Sequence, residues 1–544
     1  MLNKIFITVT FLLSFSLLQA QSSFVADRTM VVAPDTLLEA PANWFNLDVV
    51  TDKVRGVSTE KAYAELLQNK KTKTVIVAII DSGIDIEHED LKDKIWTNED
   101  EVAGNGIDDD KNGYIDDVHG WNFIGNANGD MVNYDNLELT RLYVKYKKIY
   151  EGKKESDFKG KKLDEFNQYV KLKLEFEKEF AEAEMQYNQI NGFYTAYLNA
   201  DKSVKEYLKK DEYAIEELDS INSEDENLTK SIQILKRMSL MPFSIEDLKS
   251  YVEHFEQQTK YNLNVDFDPR SIVGDDYENK SEKFYGNNKV KGPDAFHGTH
   301  VAGIIGANRN NELGIKGIAS DIKIMVVRTV PNGDERDKDV ANSIIYAVDN
   351  GAKVINMSFG KAYSPYKSVV DKAVKYAEKK GVLLVHAAGN DNQDNDLVKN
   401  FPNKIYSAKK SCTTWIEVGA SSWVDTDEFI GGFSNYGKEN VDIFAPGVDI
   451  FSSTPENNYK NANGTSMASP VVAGVAALVL SYYPDLTAAQ LKDILLKSAV
   501  IYKDVLVNIP GQKEKKTEFK NLCITGGIVN AYNALKLAEE ISKK

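Results

Sequence analysis

Short apolar runs recur along this chain at 74–80, 322–328, 353–357 and 382–386, each dominated by Val, Ile, Leu and Met. Runs of that length with no polar alternation predict strands buried on both faces. Between them lie stretches with helical spacing. One runs over 337–350 and stops at Gly351, and another runs over 365–380 and stops at Gly381. Thr487-Ala-Ala-Gln490 reads as a capping box that opens a further helix to about 498. The apolar stretch 471–482 predicts a long buried helix behind Asn463-Gly-Thr-Ser-Met-Ala-Ser-Pro470. Buried strands alternating with helices over 71–132 and 286–544 predict an α/β fold with a mainly parallel sheet covered on both faces. In such sheets reactive side chains gather at the carboxyl ends of strands, where Asp81 and Asn356 fall.

The block 133–285 has a different texture, rich in Lys, Glu, Tyr and Asn, with no glycine between Gly192 and Gly274. Neither glycine nor proline occurs between Gly160 and Gly192, which suits a long helix, although Val170, Leu172, Leu174 and Phe176 alternate at the period of a strand. Missing turn residues and surrounding helix formers favour the helix, and Ser244 offers a later helix start. The block reads as a charged helical insertion: a solvated embellishment, an exosite or a lid.

Composition narrows the address and the partners. Residues 1–20 carry Lys4, an apolar run and a small residue, Ala20, before Gln21, the pattern of a signal peptide, too short to span a bilayer. Export to the periplasm or beyond is expected, with no membrane span after cleavage and an extension over 21–45. The net charge of −16, from 82 acidic and 66 basic residues, argues against a nucleic-acid partner. Cys412 and Cys523 could pair in an exported chain or remain two buried thiols.

Three separate segments hold the parts of a nucleophilic site. Val75-Ile-Val-Ala-Ile-Ile-Asp81-Ser-Gly is a strand ending in a carboxylate, His297-Gly-Thr-His-Val-Ala-Gly303 carries an imidazole into a helix, and Ser466 lies at a helix mouth. A serine hydroxyl needs a base to take its proton, and the base needs a carboxylate to hold its tautomer. Ser466, His297 and Asp81 fit those roles. The three motifs, in the order Asp, His, Ser, resemble those of the subtilisin-like serine peptidases, the subtilases. The resemblance implies a three-layer subtilisin-like fold over 46–132 and 286–544, acting on protein or peptide substrates through an acyl-enzyme. It also implies that His297, not His300, is the base. Asn390, in Val385-His-Ala-Ala-Gly-Asn390, would donate to the oxyanion beside the Ser466 amide. The segment with Ser358, Phe359 and Gly360 would pair with extended substrate, and with Ala388 and Gly389 would wall the pocket for the side chain before the cut. About 50 residues lie between Ala20 and the first strand. That is short for the usual folding propeptide. An esterase reading fails because no histidine follows Ser466.

Asp108-Asp-Asp-Lys-Asn-Gly-Tyr-Ile-Asp-Asp117 resembles half of an EF-hand calcium loop. Asp108, Asp110, Asn112, the Tyr114 carbonyl and Asp116 take the ligand positions. Position twelve is His119 instead of Glu, which leaves Asp117 or Glu101 as a substitute. The family resemblance implies a second structural calcium at Asp90 and Asn311 with the Leu313 and Ile315 carbonyls. His88, His119 and His254 lack a second ligand at zinc spacing, and His386 reads as a pocket-wall or core residue.

Overall fold

The computed structural model describes residues 25–26 and 39–543, apart from 242–243, 408–409, 425 and 503. The expected signal peptide and most of the 21–45 extension lie outside the described residues. The chain divides into two compact units: one takes the residues up to 131 with 273–330 and 336–544, the other 132–272 with 331–335.

The first unit is built on a ten-stranded sheet. Val75–Asp81 lies between Ile322–Arg328 and Val354–Met357, and Leu383–Ala387, Trp415–Ser421 and Ile443–Pro446 follow outward, all parallel. Only the pairing of Val500–Tyr502 with Gly527–Ile528 is antiparallel among the described strands of this sheet. Alternate residues of the central strand serve opposite cores. Val75, Val77 and Ile79 pack beneath the helices Phe296–Gly306, Thr465–Tyr482, Ala488–Lys497 and Ala531–Ser542. Ala78 and Ile80 face Asp337–Asp349 and Lys367–Lys379. That period of two turns one strand into the middle layer of three.

The strands expected from sequence are present within one residue at each end. Thr487 caps its helix as expected, its side chain accepting from Gln490 N. The helix expected over 471–482 begins earlier, at Thr465, with Pro470 inside it. It is long and apolar enough to cross a membrane by composition, yet 89% of its window is buried in this core. Cys412 and Cys523 are both free and buried, in separate apolar clusters, and each thiol contacts a nearby threonine.

The second unit is helical. The helix Lys161–Leu208, of 48 residues, runs through Gly192 and packs against Glu138–Tyr150, Glu226–Ser239 and Ile245–Gln257. Within the apparent alternation only Leu172 and Phe176, four residues apart, are buried, while Val170 and Leu174 are exposed, so the helical period holds. The insertion is shorter at its end than the sequence boundary of 285. Asp275 and Glu282 both reach the buried Lys338 ammonium at 2.6 Å, and this pairing keeps 273–285 with the first unit.

Candidate active site

Asp81 and His297 are 216 residues apart in the chain, and the fold brings Asp81 Oδ1 to 2.7 Å from His297 Nδ1. Glycine makes this approach possible. A Cβ on Gly298 would lie 2.1 Å from the Gly83 carbonyl oxygen and 3.3 Å from the Asp81 Cβ, so a larger residue would push the helix off the strand end. Asp81 is buried, and its Oδ1 also accepts from the Ser82 amide at 2.7 Å. The carboxylate therefore holds the proton on Nδ1 and leaves Nε2 as the basic nitrogen. Burial works against the His297 imidazolium, but the facing Asp81 carboxylate, aided by Asp294, outweighs it, and the pKa is raised above the ordinary 6.5. His300, one turn on, is different: burial pulls it down to about 4, and its Nε2 lies 3.0 Å from the Lys460 carbonyl.

Ser466 sits in the first turn of its helix, which packs against the His297 helix. Pro470 has no N–H to give the Ser466 carbonyl four residues back, and Ser358 Oγ donates to that carbonyl instead, at 2.9 Å. In return Ser466 Oγ donates to the Ser358 carbonyl at 3.0 Å. Asn356 links the two segments, donating to Ser358 Oγ at 3.0 Å and accepting from Ser469 Oγ at 2.8 Å. The serine hydroxyl thus rests on the Ser358 carbonyl.

Asn390 accepts from Thr465 N at 2.8 Å and from Thr465 Oγ1 at 2.9 Å through Oδ1, which leaves Nδ2 as the outward donor. A Cβ built on Gly464 would lie 3.5 Å from both Asn390 Nδ2 and the Ser466 amide nitrogen. Asn390 Nδ2 and the Ser466 amide nitrogen thus both lie close to Gly464, at the N-terminus of the Ser466 helix.

Of the residues expected to line the substrate, Ser358 and Ala388 are buried, while Gly360 is exposed and Gly389 half-buried. Phe359 differs from its neighbours: its side chain turns into the core near His386. His386 is itself a core residue, fully buried, with Nδ1 2.9 Å from Glu417 Oε1. Sequence reasoning missed two asparagines. Asn400 sits between Gly360 and Ala388: a Cβ on Gly360 would meet its Oδ1 at 2.5 Å, and its Nδ2 donates to the Ala388 carbonyl at 3.1 Å. Asn435 accepts from the Asp391 and Gln393 amides at 3.0 and 2.9 Å and donates to Ala388 O at 3.0 Å, pinning the loop that carries Asn390. Neither lies in a periodic run, so only tertiary partners reveal them.

The acidic loop has its own geometry. Glu101, Asp110 and Asp117 bring carboxylate oxygens within 4.8 Å of one another. Asn98 and Asn112 donate to Asp110 and Asp117, and Tyr346 donates to Asp117 at 2.6 Å. Burial, with the Asp110 charge adding, pushes Asp117 up to about 6. Asp108 instead receives the Asn112 and Gly113 amides, while Asp116 receives those of Asn105 and Gly106. At the other expected site Asp90 and Asn311 do meet, but Asn311 donates to Asp90 at 2.8 Å and Tyr459 donates to its second oxygen.

The subtilase family model matches residues 72–526. The chain belongs to the subtilase family. A thermophilic serine proteinase of Bacillus sp. (strain AK1) is 45% identical over 186 residues, 34% of this chain and 42% of that protein. Subtilisin DY of Bacillus licheniformis is 40% identical over 37% of this chain and 70% of its own length. Subtilisin-like protease 1 of Plasmodium vivax is 28% identical over 63% and 54%. The chain thus spans less than half of the first of these relatives. A solved protease from Pseudoalteromonas arctica PAMC 21717 aligns at 29% identity over 46% of this chain and 78% of its own, with a TM-score of 0.37.

Proposed function

We propose that this subtilase is an exported serine endopeptidase. The observation that carries the reading is the 2.7 Å contact of Asp81 with His297, whose helix packs against the one that opens with Ser466. Ser466 Oγ attacks the peptide carbonyl carbon while His297 Nε2 takes its proton. The carbonyl oxygen, now negative, is held by Asn390 Nδ2 and the Ser466 amide. His297 then gives the proton to the leaving amine, the C–N bond breaks, and water, deprotonated by the same nitrogen, releases the acyl group. Asp81 stabilises the imidazolium at each stage. With Asn400 set between Gly360 and Ala388, the pocket favours short side chains before the cut. Quenched peptides that vary only at that residue test both points. Alanine or serine peptides should be cleaved at least about tenfold faster than phenylalanine ones, and Ser466→Ala should cleave neither. Equal rates, or cleavage by Ser466→Ala, would count against the reading.

The acidic loop offers only oxygen donors, a set that fits Ca²⁺. Glu101, Asp110 and Asp117 would hold the ion with Asn112 and the Tyr114 carbonyl, while Asp108 and Asp116 shape the loop. A bound Ca²⁺ would neutralise the Asp117 carboxylate, whose charged form burial disfavours. Asp90 and Asn311 would hold a second ion only with the Asn311 amide turned so that its oxygen, not its nitrogen, faces the carboxylate. Bound Ca²⁺ must displace a proton from Asp117 below about pH 6. Chelation should therefore lower the Tm of Ser466→Ala protein more at pH 8 than at pH 5. An unchanged Tm at pH 8 would remove the assignment.

The insertion exposes Phe193, Leu240 and Tyr251, side chains suited to docking a protein substrate. Deleting 138–262 should then slow cleavage of folded proteins while sparing short peptides. Equal loss on both would indicate support of folding instead.

A further inference from the structure

We propose that Arg328 is a positioning residue for the Asp81–His297 pair, fastening together the three chain segments that deliver it. The inference rests on that pair being catalytic. Arg328 ends the strand beside Asp81, in register with it, and is 1% exposed. On the Asp81 segment, Arg328 Nε donates to the Ser82 carbonyl at 2.9 Å, while the Thr329 and Val330 amides donate to the Asp81 carbonyl at 2.9 and 3.2 Å. On the neighbouring strand, Arg328 Nη1 donates to Asn122 Oδ1 at 3.0 Å.

The third segment leads into the His297 helix. It is tied to Asn122 through Asn287, by backbone bonds of 2.8 and 3.1 Å and a side-chain bond of 3.0 Å. Ile84 N donates to the Val290 carbonyl at 3.2 Å. Gly292, at φ +71°, lies directly on the guanidinium, where a Cβ would come 2.1 Å from Arg328 Nε. Asp294 completes the segment: its Oδ1 accepts from the Phe296 amide at 3.1 Å, and its field reaches both Arg328 and His297.

Two physical consequences separate this role from ordinary packing. Without the guanidinium, the Ser82 carbonyl and Asn122 Oδ1 lose a donor in a buried region, and the strand end carrying Asp81 is less firmly held. Burial pulls the Arg328 pKa down to about 10, with Asp294 opposing the shift, so the protein bears the cost of a charge in a place where an apolar side chain would be cheaper to bury. The groups facing His297 are Asp81 on the strand, Asp294 on the lead-in and His300 one turn along its own helix. Arg328 offsets the Asp294 charge. Removing its positive charge lets the field of Asp294 weigh more heavily toward the imidazolium, so the neutral base forms at higher pH.

The test is kcat and the acid limb of kcat/KM against pH, normalised to active sites titrated with a fluorophosphonate. Arg328→Met should lower per-site kcat by about tenfold or more and raise the acid limb by about half a pH unit. Arg328→Lys keeps the charge without the fork, so it should leave the limb in place and recover part of kcat. Asp294→Asn should lower the limb, and in that background Arg328→Met should no longer move it. The proposal is overturned if Arg328→Met keeps the wild-type per-site kcat and limb, or if its loss lies wholly in the fraction of titratable sites. Failure of the wild type itself to label at Ser466 would strike the catalytic reading, and is distinguishable because it needs no Arg328 variant.

Discussion

Two helices, Thr465–Tyr482 in the catalytic unit and Lys161–Leu208 in the inserted one, reach stability by different routes. The first is buried along nearly its whole length. Its small residues admit neighbours closely, as at Gly474, where a Cβ would meet the Ile318 side chain at 2.9 Å. The second, 48 residues long, buries only Phe166, Tyr169, Leu172, Phe176, Ala183, Ala200 and Val204. Its surface carries pairs such as Lys173–Glu177 and Lys178–Glu182 at 3.7 and 3.8 Å, all solvent-exposed. Such pairs are worth about 0.3–0.5 kcal/mol each, so the few buried side chains carry its packing while most of its surface tolerates change. The contrast assigns precision to one unit and tolerance to the other. Chemistry that depends on tenths of an ångström sits where every neighbour is fixed.

Substitutions can break that contrast. The largest effect is expected at Asn390, whose amide is held by Thr465 and has no latitude to be replaced. Asn390→Ala should lower kcat by about 10²–10³, the scale known for such a donor in subtilisin, with little change in KM. A loss of less than about tenfold would mean that the oxyanion is held elsewhere. Next comes Leu478→Ala in the buried helix, expected to cost about 2–5 kcal/mol because its neighbours cannot close the cavity. The smallest is Leu174→Ala, on a residue 64% exposed, expected to change stability by no more than about 0.5 kcal/mol. Thermal unfolding in a Ser466→Ala background, free of self-cleavage, measures both. Similar losses at the two leucines would erase the distinction between the units.

What the sequence made legible follows the same division. The central strands could be read within a residue because continuous apolar runs end abruptly at polar or glycine positions, as Val75–Asp81 does at Ser82-Gly83. The meeting of Asp81 with His297 was foreshadowed by motifs that are local, although the contact itself spans 216 residues. The start of the Ser466 helix was hidden, since Thr465 to Pro470 carry no apolar period and a proline normally argues against helix. Lys161–Leu208 ran past Gly192 because one glycine costs only about 1 kcal/mol against many good helix formers. Phe359 turned inward with Ile355 and Met357, a choice set by the alternation of the strand end. Asn400 and Asn435 stayed invisible because an amide's worth depends on which carbonyls and amides the fold sets against it.

Fluorophosphonate labelling of the folded full chain, with peptide mapping of the adduct, tests the central claim most directly. One label per chain on Ser466, lost in Ser466→Ala and strongly slowed in His297→Ala, is the expected result. Native protein that takes no label there, or labels as fast without His297, would contradict it.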